Sequence, residues 1–188
     1  MISTTHNISK VDDFLTARTD PDCAWQRAAN LAALGVKSVL ELCVGPSLKV
    51  LEQMYSRYSI TVSGNDIDDR WEKYYPEGRW IIGDALKINW SSFDAVVFAP
   101  PLTHGCSGKR EDSLMVNEVS PRYTDFLGSH FNGIKVMVLP ARSIATSSDR
   151  KEMHKLLASV YAEQKEVSVI PLLAGKRGIR KYVDVYIY

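Results

Sequence analysis

A single unit recurs along this chain and limits what it can fold into. A short apolar run stops at a glycine, a proline or an acid, and residues at helical spacing follow most of these stops. Residues 36–44 form the first run; Gly45-Pro46-Ser47 breaks it, and Leu48, Leu51, Met54 and Tyr55 then recur at helical spacing. The next runs are 59–64, closed by Asn65-Asp66, and 79–82, closed by Gly83-Asp84. Residues 93–98 are closed by Pro100-Pro101, and 134–139 by Pro140. Short helices are expected over 69–75 and 122–131, and a longer one from Ser147 or Ser148 to about Gln164. Upstream, Asp20 stands as an N-cap with Pro21 in the first turn, and Gly35 ends the Ala- and Leu-rich stretch 23–34. Short apolar strands alternating with helices describe a parallel sheet covered on both faces.

The C-terminal part reads differently. Residues 166–173 and 181–188 are two strands joined by Gly175-Lys176-Arg177-Gly178, an antiparallel hairpin at the sheet's edge. The last strand alternates Tyr182, Asp184, Tyr186 and Tyr188 with Val183, Val185 and Ile187. The expectation is one α/β domain over 1–188, with a seven-stranded, mostly parallel sheet and an N-terminal helix laid over it. A five-stranded flavodoxin-like sheet is the alternative, and the terminal hairpin argues against it.

Composition narrows the function classes. Lys and Arg number 23 against 22 Asp and Glu, a net charge of +1, so no basic coat for nucleic acid is present, although a local patch is compatible with it. Three cysteines with no close pair, and histidines scattered at 6, 130 and 154, predict neither a disulfide framework nor a metal site. The apolar stretches 95–99 and 167–174 are too short to span a bilayer, and residues 1–10 lack an apolar signal core. A cytoplasmic protein without membrane association is expected.

In a sheet of this kind a ligand sits beyond the carboxyl ends of the strands, near the switch in strand order. The first such turn, 41–47, lacks both the glycine fingerprint of dinucleotide binders and the lysine of a phosphate loop. A dehydrogenase-like nucleotide binder is therefore disfavoured. Gly45 would let the backbone approach a ligand closely. Asp66 suits the two hydroxyls of a ribose, because a carboxylate accepts two hydrogen bonds side by side. Asp84 could accept from the amine of an adenine. Taken alone, an acid at a strand end is more often an ordinary turn or cap residue.

Taken in order, these residues resemble the class I S-adenosylmethionine-dependent methyltransferases over about residues 20–188. Glu41-Leu42-Cys43-Val44-Gly45-Pro46-Ser47 is similar to their first motif, acid-Leu-Gly-x-Gly-Pro-Gly. Residues 62–68 are similar to the second, which ends in the ribose-binding acid, and Gly83-Asp84-Ala85 to the third. The resemblance implies a three-layer Rossmann-like methyltransferase fold and S-adenosyl-L-methionine as cofactor. Gly45 would then pack under the methionine part and Glu41 orient its amino group, directly or through water. Asp66 would hold the ribose hydroxyls, Ile67 lie against the adenine face, Asp84 take the adenine amine, and the Ala85 amide lie nearby. Cys43 and Ser47 stand where the family has glycine, and Cys43 adds bulk beside the cofactor.

The segment 98–105 is similar to the Asn/Asp-Pro-Pro-aromatic motif of amino-methyltransferases. There the prolines hold the chain extended and leave carbonyls to accept from an NH₂ group. Here Ala99 carries no side-chain acceptor and Leu102 no aromatic face, so only Pro100-Pro101 remains. His104 is a candidate proton acceptor. The plainer alternatives are a proline pair that ends a strand and a solvated loop histidine. Arg142 could meet an anionic substrate or form a rim ion pair. Lys109, Arg110, Lys176, Arg177, Arg180 and Lys181 could form a phosphate-binding rim, or the last four could simply charge a hairpin against edge pairing. The leading expectation is a methyltransferase acting on an amine of a nucleic-acid base or small molecule. The alternative is a non-catalytic adenosyl-binding protein with a degenerate acceptor site.

Overall fold

Among the described residues the first helix, α1, is Pro21–Ala33. Asp20 is extended and its carboxylate accepts from the Asp22 amide at 3.0 Å, as an N-cap should. At the far end the Gly35 amide donates to Ala32 and the Val36 amide to Leu31, with Gly35 at φ +81°. That pair of bonds is a Schellman stop, and the left-handed turn it needs is open to glycine without strain. The computed structural model that gives these details describes residues 20–75, 78–99, 121–140, 155, 158, 166–174 and 179–188.

The strands are β1 Ser38–Leu42, β2 Thr61–Asp66, β3 Trp80–Ile82, β4 Ala95–Phe98, β5 Ile134–Pro140, β6 Val167–Ala174 and β7 Ile179–Ile187. They form one seven-stranded sheet in the order β3-β2-β1-β4-β5-β7-β6. The first five are parallel to their neighbours, and β7 lies antiparallel between β5 and β6. Helix α2, Leu48–Ser56, follows β1, and α3, Pro121–Gly128, precedes β5.

Period-two alternation divides the core between the two faces. Val39, Val62, Ala95, Val97, Val136 and Tyr186 pack with Ala24, Ala28 and Leu31 of α1 and Leu48, Leu51 and Tyr55 of α2. Leu40, Leu42, Val96, Phe98, Met137, Val185 and Ile187 pack on the opposite face with Trp90 and with Phe126 of α3. The central strands are thus buried on both sides, which is why they read as continuous apolar runs. The buried Lys135 of β5 donates its ammonium to the Leu127 carbonyl at 2.9 Å and also to Ser129, closing the C-terminal end of α3.

Several boundaries move from expectation. β1 is shorter than 36–44 because Cys43 turns into the left-handed region at φ 58°. Residues 69–74 form a 3-10 helix, Asp69–Tyr74, capped by the Asp68 carboxylate on the Arg70 amide. Helix α3 stops at Gly128 instead of running to 131. Of the helix expected over 147–164, Lys155 and Ala158 are described and are helical; the hairpin turn 175–178 lies outside the described residues. Among the described residues no helix is long and apolar enough to cross a membrane, and no group of three His, Cys, Asp or Glu could hold a metal.

Candidate functional site

The chain leaves β1 towards β2 on one side, and β4 lies on the other, so the crevice in which sheets of this kind take a ligand falls at the carboxyl ends of β1 and β4. The turn that borders it is stitched to β2. The Val44 amide donates to the Asn65 carbonyl at 2.9 Å, and the Gly45 amide to Asp66 Oδ2 at 2.8 Å. Gly45 lies at φ 50° and Cys43 at φ 58°. A residue with a Cβ pays about 1–2 kcal/mol for that conformation, so Cys43 holds under strain a shape that glycine takes freely. Gly64 permits the close approach: a Cβ there would lie 2.8 Å from Val44 Cγ1 and 3.0 Å from Leu48 Cδ2.

Asp66 is half-buried at the end of β2. Its second oxygen, Oδ1, accepts from the Asp68 amide at 3.0 Å. Burial pushes its pKa up, against the pull of the Asp68 and Gly45 amides. The Ile67 amide also donates to this carboxylate, whose two oxygens together still have lone-pair capacity for more. Ile67 follows directly and is 75% exposed. Ile82, at the end of β3 and in register with Asp66, is exposed as well.

The third segment is joined to the second. The Gly83 amide donates to the Asp66 carbonyl at 3.0 Å. Asp84 Oδ1 accepts from the Leu86 amide at 3.1 Å, and Lys87 Nζ lies 3.9 Å from Oδ2. Ala85 is buried, and its carbonyl accepts from Trp90 Nε1 at 3.0 Å. Gly45, Asp66, Asp84 and Ala85 therefore sit along one connected rim.

Glu41 is placed elsewhere. It is buried in the layer beneath α1 and α2, where the Tyr55 hydroxyl donates to Oε1 at 2.5 Å and Arg27 Nη1 lies 3.6 Å away. Arg27 also forks onto Asp184 of β7 at 2.6 and 2.9 Å. Burial pushes the Glu41 pKa up, opposed by the Arg27 cation and the Tyr55 hydrogen bond. Ala99 is half-buried and packs against the α1 side of the core. Pro100, Pro101 and His104 lie outside the described residues, as do Lys109, Arg110, Arg142, Lys176 and Arg177.

Three residues escaped the sequence reading. Arg27 and Asp184 are one pair, and a cation on the apolar stripe of Ala24, Ala28 and Leu31 was the available signal. Asn65 is wholly buried beside Asp66 and donates to the carbonyls of Ile81 and Gly83.

No protein-family model and no curated protein sequence matches the chain. Solved structures do match its fold. The methyltransferase domain of bacterial CtHen1 aligns over 87% of this chain and 96% of its own, with a TM-score of 0.57 and 14% identity. Cofactor-bound Rv0187 from MTB aligns over 92% and 83%, with a TM-score of 0.58 and 12% identity. The plantazolicin methyltransferase BpumL in complex with SAH aligns over 89% and 82%, with a TM-score of 0.53 and 10% identity. The chain has the fold of the class I S-adenosylmethionine-dependent methyltransferases.

Proposed function

We propose that the protein is an S-adenosylmethionine-dependent methyltransferase. The observation that carries this reading is the connected rim: the Gly45 turn held by the Asp66 carboxylate, with the Gly83-Asp84-Ala85 turn joined to the same residue. The residues fit an adenosyl group. Asp66 retains acceptor capacity for two ribose hydroxyls, Ile67 offers an apolar surface for a purine face, and Asp84 offers an acceptor for its amine. Gly45 adds no side chain between the turn and a ligand.

When bound, the cofactor supplies an electrophilic methyl group. The chain's own contribution is to align the acceptor with it and to exclude water. The acceptor in this reading is a planar amine, met by the Ala99 or Pro100 carbonyl because Ala99 brings no side-chain acceptor. His104 is the proposed recipient of the acceptor's proton. The acceptor class is an amine of a nucleic-acid base or a small molecule. The second reading, a non-catalytic adenosyl-binding protein, draws on the same alanine.

Calorimetry with S-adenosylmethionine and S-adenosylhomocysteine, with NAD and ATP as comparators, tests the cofactor. Binding of the first two alone is expected; silence at millimolar ligand overturns the reading. Methyl transfer across a panel of amine acceptors then separates an enzyme from a binding module.

A further inference from the structure

We propose that Asn65 is the positioning residue for base recognition, holding the Gly83-Asp84-Ala85 turn where Asp84 can meet a purine amine. This rests on the adenosyl reading above. β3 is a three-residue edge strand with β2 as its one sheet neighbour. Such an edge is the least constrained part of a sheet, yet its last residues lead directly into the turn that carries Asp84.

Asn65 supplies the missing constraint. Its Nδ2 donates to the Ile81 carbonyl at 2.9 Å and to the Gly83 carbonyl at 3.0 Å, one on each side of Ile82. Both amide hydrogens are thereby spent on β3 and its exit. Gly83 lies at φ +140°, a conformation that side chains rarely adopt, and its own amide is held by the Asp66 carbonyl. The carbonyl and amide of the residue before Asp84 are therefore both tied to the Asn65-Asp66 dipeptide.

The orientation has a cost that marks it as specific. Asn65 Oδ1 is buried and accepts no hydrogen bond among the described residues. An apolar residue of the same size would leave no such orphan. Asparagine is useful here for its two donors alone. The dipeptide then divides the nucleoside: Asp66 faces the ribose directly, and Asn65 acts on the base through the turn.

The test compares S-adenosylhomocysteine with its purine-riboside analogue, in which a hydrogen replaces the exocyclic amine and N1 remains an acceptor. Both ligands share the ribose and the amino-acid tail, so their affinity ratio isolates base recognition. Calorimetry is run on the full chain, on Asn65→Leu and on Asp84→Ala, with thermal melting of each. The wild type should prefer the adenosyl ligand by about tenfold or more, the scale of one lost hydrogen bond. Asp84→Ala should abolish that preference. Asn65→Leu should also reduce it to near unity; it should fold with a modestly lower melting point, because the Ile81 and Gly83 carbonyls lose their donor while the substitution fills the space and removes the orphan. Should Asn65→Leu keep the full preference while Asp84→Ala loses it, the proposal is overturned and the reading of Asp84 stands. A wild type without preference, or an Asp84→Ala variant that retains it, overturns that reading and the proposal with it. Should Asn65→Leu fail to fold, Asn65→Ser serves instead, and a retained preference there is equally fatal.

Discussion

Glu41 and Asp66 are carboxylates near the carboxyl ends of adjacent strands, and they do opposite things. Glu41 lies one residue before the end of β1 with its side chain turned into the layer under α1 and α2, where Arg27, Tyr55 and Asp184 surround it. Asp66 is the last residue of β2, half-buried, with backbone donors on both oxygens. The first is a closed polar cluster of two carboxylates and one guanidinium; the second is an open rim. A buried charge needs its partners to be tolerated at all, whereas a rim charge retains capacity for a ligand. Two acids drawn from similar motifs thus part company through depth and the face their strand position gives them.

The largest effect should come from the closed cluster. Arg27→Met leaves Glu41 and Asp184 buried without their cation, which should cost about 3–5 kcal/mol in urea unfolding. Pairing it with Asp184→Leu should recover part of that loss, because it removes one of the two stranded carboxylates while Glu41 remains. Affinity for S-adenosylhomocysteine in the folded double variant should stay within about twofold, since the cluster and the rim share no side-chain partner. Loss of binding at full stability would merge the two regions into one.

Asp66→Ala should reverse the pattern. The prediction is a loss of about 1.5–3 kcal/mol in affinity for S-adenosylhomocysteine, the range for hydrogen bonds to a charged group. Some stability is lost too, because the Gly45 and Asp68 amides lose their acceptor. Asp66→Asn should fall between. A folded Asp66→Ala variant with an unchanged dissociation constant would make Asp66 a turn residue only.

The pH dependence separates carboxylates by environment. Burial raises Glu41 above its ordinary 4.5, so the folded state binds a proton more tightly than the unfolded one. Its contribution is therefore complete below 4.5 and is lost as pH rises through the folded value. Asp94 is displaced the other way by the Lys37 and Ser38 amides, so its contribution is present above 3.8 and lost as pH falls. The stability of the wild type minus that of Glu41→Gln should decline with rising pH above 4.5, and the same difference for Asp94→Asn should grow from acid towards neutrality. Parallel curves for the two would contradict the contrast.

The sheet was legible because its signal is local. Strands buried on both faces are mostly apolar, and Asp20, Gly35, Gly45, Gly83 and the prolines mark where elements begin or stop. The rim was legible for a similar reason: Gly45, Asp66 and Asp84 fall at strand ends, and the strand order gathers strand ends. What escaped depends on distant partners. Arg27 and Asp184 are 157 residues apart, and nothing near either shows the other. The motif gives Glu41 its position on β1, but its rotamer is decided by residues of α1 and α2. Asn65 could be read only once β3 was seen to be an edge strand in register with it.

The smallest prediction refines the rim itself. Cys43 and Ser59 are the two non-glycine residues at positive φ among those described, at 58° and 56°. Cys43 borders the crevice; Ser59 lies in the exposed turn between α2 and β2. Glycine at either site relieves the left-handed strain but adds freedom to the unfolded chain, so the net gain should be under about 1 kcal/mol. Ser59→Gly should show that gain in the urea midpoint with no change in ligand affinity. Cys43→Gly should gain less, because the cysteine packs partly against the second core cluster and that contact is given up. It should nevertheless tighten S-adenosylhomocysteine binding, since it removes bulk beside Gly45 and restores the glycine of the family motif. Identical behaviour of the two variants in both measurements would mean that Cys43 is merely another strained turn residue, and that the rim begins at Gly45.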